Sequence, residues 1–105
     1  MQQIVFLAPK TIKTFLDFLN SSTFLKFIQN ITSIKENLIA DKELNGGGLH
    51  EIKKGGILKI HTDFNRHPTL NLDRRVNVLI YLNKNWKEEY GGHLELWDRD
   101  MKECK

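Results

Sequence analysis

Apolar residues recur at helical spacing between Thr11 and Ile31: Ile12, Phe15, Leu16 and Leu19, then Phe24, Leu25, Ile28 and Ile31. Positions three and four apart share a helix face, so the two sets predict two short amphipathic helices. A single broken helix is the other reading. Between the sets lies "NSST", where Ser21 or Ser22 can cap the second helix. The phenylalanines belong to core-facing stripes rather than to a ligand box. After about residue 36 the period changes. "NLIAD" (37–41), "LHEI" (49–52), "ILKIHTDF" (57–64), "RRVNVLIYLN" (74–83) and "GGHLELWD" (91–98) read as strands, bounded by turn residues such as "NGGG" and "KKGG". Pro68 falls in a loop between two of them, where it interrupts no ladder.

Strands in close succession after a helical start predict an α+β fold, with N-terminal helices packed on an antiparallel sheet. Five strands fall short of the eight of a closed jelly roll, and an open apolar edge invites pairing. Three outcomes stay open: a small helix-covered sheet, completion by a second copy, or part of a longer protein.

Composition narrows the classes. A chain of 105 residues is one domain, and 40% hydrophobic with 28% charged residues is ordinary for a globular protein. No run approaches the ~20 apolar residues of a membrane span. "MQQIVFLAPK" has no basic start and too short an apolar run for an export signal. The lone Cys104 forms no internal disulfide, so a cytoplasmic setting is expected. The glycosylation patterns at Asn20 and Asn30 are then chance. The net charge of +3 arises from 16 basic and 13 acidic residues scattered along the sequence. The doublets Lys53–Lys54 and Arg74–Arg75 make no stripe, so neither a nucleic acid nor a membrane is an expected partner.

One pair of residues does not suit an apolar strand. His61 and Asp63, two apart, point the same way from an extended backbone and can reach one ion. An imidazole and a carboxylate are two-thirds of the 2-His-1-carboxylate triad of non-haem Fe(II) oxygenases. Alone, H-x-D is common, and a surface pair sharing a hydrogen bond is the plain alternative.

The context is more specific. "GGILKIHTDFN", "RRVNVLIYLNKNW" and "GGHLELWD", in that order, resemble the Fe(II)- and 2-oxoglutarate-dependent oxygenases, and within them the prolyl 4-hydroxylase-like group. The likeness spans residues 46–101. It implies a partial double-stranded β-helix (jelly roll), with 1–35 as a helical N-terminal part and 36–105 as an incomplete core of one truncated domain. His61 and Asp63 would be catalytic iron ligands. Tyr81 matches a tyrosine that hydrogen-bonds the distal carboxylate of 2-oxoglutarate, and Leu94 an aliphatic residue of the same pocket. By alternation Asn77 and Leu79 share the face of Tyr81, and His93 points away from that of Leu94. Val76, Val78, Ile80 and Leu82 form the opposite, packed face.

The resemblance further implies Fe(II) and 2-oxoglutarate as cofactors, with ascorbate allowed, and O2 as co-substrate. The reaction would hydroxylate a C–H bond of a prolyl or other side group, on a peptidyl or small-molecule substrate, giving succinate and carbon dioxide. There are departures. No histidine matches the family's third ligand, and the arginine or lysine that pairs with 2-oxoglutarate has no counterpart. Ile57 and Leu58 stand near where many relatives carry a tyrosine. His67 would border the substrate mouth, and His50 would take a structural hydrogen bond. The expectation is an incomplete catalytic domain with little turnover of its own. The alternative is a non-catalytic β interaction module, forming a homodimer through its sheet edge.

Overall fold

The computed structural model describes residues 2–3 and 9–105. Residues 4–8, the apolar run weighed above as an export signal, lie outside the described residues. Helix α1 spans Lys10–Leu19 and α2 spans Ser22–Thr32. Pro9, with φ already at −55°, offers its carbonyl to the amides of Ile12 and Lys13 at 3.0 and 3.1 Å and starts α1. Asn20 ends it, its side-chain amide donating to the Leu16 carbonyl at 3.3 Å. The cap of α2 is Ser21, whose hydroxyl accepts the Phe24 amide at 3.2 Å. Ser33, in the left-handed region at φ 57°, stops α2.

The short Asn20–Ser21 link folds the helices against each other. Leu16 of α1 and Ile28 of α2 are the buried apolar side chains among the described residues. Phe18 and Phe24 join across the link with ring centroids 5.6 Å apart, and Phe27 extends the cluster. Beyond α2, the Gln29 side chain accepts the Leu38 amide, and Arg75 pairs with Glu36 at 3.2 Å. These two contacts lay residues 33–38 back across the helices and against the second half of the molecule.

That second half corrects the expected fold. Strand ladders among the described residues are confined to β1 (Gln2–Gln3) against β2 (His50–Glu51), antiparallel, with Gln3 opposite His50, beside isolated antiparallel bridges at Arg66–Asp73 and Trp97–Cys104. Among the described residues regular structure is predominantly helical, and the two-residue strands β1 and β2 make no α+β jelly roll. Of the five strand readings only "LHEI" contributes, through β2; residues 37–41 are irregular. Segments 57–64, 74–83 and 91–98 form no ladder, though two of their corners close. At the first corner, His67 N–H bonds the Leu72 carbonyl and Arg74 N–H the Asn65 carbonyl, at 2.8 and 2.7 Å. At the second, the Asp98 amide bonds the Glu103 carbonyl and the Lys105 amide that of Leu96.

The physical reason lies in what a turn and a ladder each need. A turn satisfies its hydrogen bonds within about ten residues. A ladder gains stability only when its apolar face is covered, and a bare two-stranded hairpin is marginal in water. Here the faces are uncovered: Ile57 is 85% exposed, and the pairs expected on opposite faces, Ile80 and Leu82 against Leu79 and Tyr81, are all exposed. The molecule presents 9700 Å² of surface, against roughly 6100 Å² for a folded monomer of its mass. No helix is long and apolar enough to cross a membrane among the described residues.

Because packing is concentrated at the helix pair, Ile28→Ala should remove roughly 2–3 kcal/mol of helical stability. Ser21→Ala should cost about 1 kcal/mol through the lost cap. Urea denaturation followed by far-UV circular dichroism measures both, and an Ile28→Ala curve matching that of the wild type would place the core elsewhere.

Candidate metal and cofactor site

His61 and Asp63 stand at the end of the segment that enters the first corner. The extended backbone places both side chains on one side even without a ladder. His61 Nε2 and Asp63 Oδ1 lie 3.4 Å apart, both side chains half-exposed. His61 Nδ1 is 2.6 Å from the Lys59 carbonyl. A carbonyl only accepts, so Nδ1 carries a proton, and Nε2 faces the carboxylate, as an N–H donor when the ring is charged and with its lone pair when it is neutral. Two acceptors facing at this distance repel unless a cation lies between them. A proton or a metal ion serves; with bonds of about 2.1 Å, neighbouring donors lie about 3.4 Å apart at a tetrahedral angle and about 3.0 Å apart at a right angle, so the observed 3.4 Å fits the wider angle.

The other oxygen of Asp63 is held from behind. Asn77 donates to Oδ2 at 2.7 Å, and the Arg74 guanidinium approaches it at 3.5 Å. Arg74 is only 19% exposed along its side chain. It lies over the Phe64 ring, 4.4 Å from the centroid, and donates to the Gly46 carbonyl at 2.6 Å. A cleft of about 330 Å³ opens here, lined by Thr62, Asp63, Asn65, Arg75 and Asn77 among others.

Tyr81 and Leu94 come together in a second cleft of about 300 Å³, with Asn83, Trp86 and His93. The two clefts share no lining residue. Trp86 shapes the second by donating from Nε1 to the Gly91 carbonyl at 2.9 Å and meeting Tyr90 edge-on. His93 lines this cleft beside Leu94, contrary to strand parity. Gly91 and Gly92 both take positive φ, near 75°, which breaks the alternation just before them. Asn77 does not join Tyr81 either; its amide is engaged with Asp63.

His67 is held at the first corner by hydrogen bonds on both ring nitrogens. Its Nδ1 accepts the amides of Thr69 and Leu70, at 3.2 and 3.1 Å, so Nε2 carries the proton and donates to Asp41 Oδ1 at 3.2 Å. Asp41 Oδ2 accepts the Gly46 amide at 2.7 Å. This latch holds the 41–47 turn against the first corner. Arg74, Gly46 and Asp41 were not evident as partners from the sequence, since the contacts bridge about thirty residues. Only the "NGGG" turn signalled that something approaches the backbone there. His50 sits in β2, paired opposite Gln3. No group of three or more His, Cys, Asp or Glu able to hold a metal ion occurs among the described residues.

A family model for the 2OG-Fe(II) oxygenase superfamily matches residues 47–105, more than half of the sequence. The chain belongs to this superfamily. No curated protein and no solved structure matches it. Membership implies Fe(II) and 2-oxoglutarate as the general cofactor and co-substrate, with O2. An imidazole and a carboxylate converging are donor types that iron takes.

Desolvation raises the Asp41 pKa, but the hydrogen bonds from Gly46, Asn45 and His67 outweigh it and hold the carboxyl below its ordinary range. A depressed carboxyl stabilises the fold fully above the ordinary value and loses that contribution as pH falls through the lowered one. The Asp41 carboxylate should therefore keep its Gly46 contact through the ordinary aspartate range and lose it only at lower pH. The Gly46 amide shift in an NMR pH titration reports this, and a midpoint at or above the ordinary carboxylate value would contradict the latch.

Proposed function

We propose that this protein supplies part of an Fe(II)- and 2-oxoglutarate-dependent hydroxylase acting on a C–H bond of a prolyl or other side group, with His61 and Asp63 as two of the three iron ligands. The observation that carries the reading is the approach of His61 Nε2 to Asp63 Oδ1, 3.4 Å apart. With Nδ1 tied to the Lys59 carbonyl, the ring is pre-set in the tautomer and orientation a ligand needs. Residues 1–105 are read as belonging to one oxygenase domain whose third ligand is not among the clustered side chains described.

With Fe(II) bound at these residues, O2 would be the oxidant: one oxygen atom would go to the substrate C–H bond and the other to 2-oxoglutarate, which is oxidatively decarboxylated to succinate and carbon dioxide. The protein's own residues bind and orient. The Tyr81 hydroxyl is suited to hydrogen-bond a carboxylate, and Leu94 to lie against its methylene groups. Their cleft is open, with Tyr81 63% and Leu94 60% exposed, so it excludes little water. Two protein ligands and a solvent-open cleft predict weak loading and slow turnover for these 105 residues.

Anaerobic titration of Fe(II) with 2-oxoglutarate tests the assignment through the visible iron-to-keto-acid charge-transfer band. The band should appear at high Fe(II) and weaken at least roughly tenfold in His61→Ala and in Asp63→Ala. A band of equal strength in both variants, or none from folded protein, would overturn it.

The exposed apolar side chains of Ile57, Leu82 and Leu96 favour a second reading, self-association without catalysis. Sedimentation velocity over a range of concentrations separates the two. Concentration-dependent dimerisation, together with the absence of an Fe(II) band, is the result this second reading requires.

A further inference from the structure

The Asp63 carboxylate can serve an ion well only if one oxygen is aimed and the carboxylate plane does not swing. We propose that Arg74 and Asn77 are positioning residues for Asp63, and that the glycine turn at 45–48 sets Arg74 through the Gly46 carbonyl. The inference rests on the reading of His61 and Asp63 as metal ligands.

Three contacts divide the labour. Asn77 at 2.7 Å and Arg74 at 3.5 Å both engage Oδ2, which leaves Oδ1 to face His61 Nε2. Arg74 is itself fixed by the Phe64 ring on one side and by the Gly46 carbonyl at 2.6 Å on another. The Gly46 amide is in turn held by Asp41, and Asp41 by His67. A series of directional contacts thus runs from the first corner, through the turn, back to the ligand carboxylate.

The two adjacent glycines of the turn separate conformational need from steric need. Neither Gly46 nor Gly47 has a positive φ, so neither backbone requires glycine. A methyl group on Gly46 would run into the Arg74 guanidinium and lie 3.2 Å from Phe64 Cζ. One on Gly47 would meet nothing within 4 Å. The absence of a side chain at Gly46 makes room for Arg74.

Arg74 also gives the test a sign. A guanidinium beside a cation site repels the cation, so on charge alone Arg74→Ala should tighten metal binding. Positioning predicts the reverse. Mn(II), an oxygen-stable stand-in for Fe(II), is titrated into the full-length protein and free Mn(II) is counted by electron paramagnetic resonance, with the thermal midpoint of each variant recorded alongside.

Arg74→Lys keeps the charge but cannot span Gly46 and Asp63 together, and it should weaken Mn(II) binding roughly tenfold. Gly46→Ala and Asn77→Leu should do the same, Arg74→Ala should weaken rather than tighten, and Gly47→Ala should match the wild type. Asn77 lies on an exposed segment, so its variant reports even if the turn variants unfold. Unchanged affinity in Asn77→Leu and Arg74→Lys, or tighter binding in Arg74→Ala, would overturn the positioning role. His61→Ala distinguishes the layers. If it lowers affinity while the positioning variants do not, only this inference fails; if it has no effect, the ligand reading fails as well.

Discussion

The Asp63 carboxylate has two oxygens, and the structure gives them different neighbours. One faces the Nε2 of an imidazole, and the other receives an amide N–H and a guanidinium. That division turns a half-exposed aspartate into a directional group. It also recruits distant parts of the molecule, because Arg74 reaches Asp63 only while it lies on Phe64 and bonds Gly46. The turn at 41–47, the corner at 65–74 and the H-x-D segment therefore share one set of contacts.

Those contacts matter more here than in a well-packed domain. Leu16 and Ile28 anchor the helix pair, while the second half of the molecule leaves most of its large apolar side chains in water. Exposed ion pairs taken singly contribute little to stability. Around Asp63 the two ion pairs are long, at 3.4 and 3.5 Å, and order near the site comes from the 2.7 Å bond of Asn77 and the seating of Arg74 on Phe64 rather than from a core beneath it. The tryptophan corner at Trp86 and Gly91 gives the second cleft its shape by similar means.

What the sequence made legible follows the range of the interactions involved. The helices read correctly because their period, and the Ser21 cap, are set within a turn or two. The convergence of His61 and Asp63 outlasted the loss of the expected sheet, since extended backbone alone puts residues two apart on one side. Inferences that needed a flat, continuous ladder did not hold. The positive φ of Gly91 and Gly92 turned His93 into the cleft beside Leu94, and Asn77 found Asp63 rather than Tyr81. The alternating apolar run from Val76 to Leu82 signalled strands, yet alternation states only which faces could be covered, not that they are. Arg74 showed as half of a basic doublet, and nothing local linked it to a glycine 28 positions earlier.

The two corners carry a consequence of another kind. Each closes within about ten residues, with Asn71 and Met101 already in the left-handed conformation at φ 51° and 57°. Loops of that length close on the order of 10–100 ns, far ahead of any long-range pairing. Loop-closure entropy therefore favours the reversals at the two corners over the 28-residue closure that joins Gly46 to Arg74.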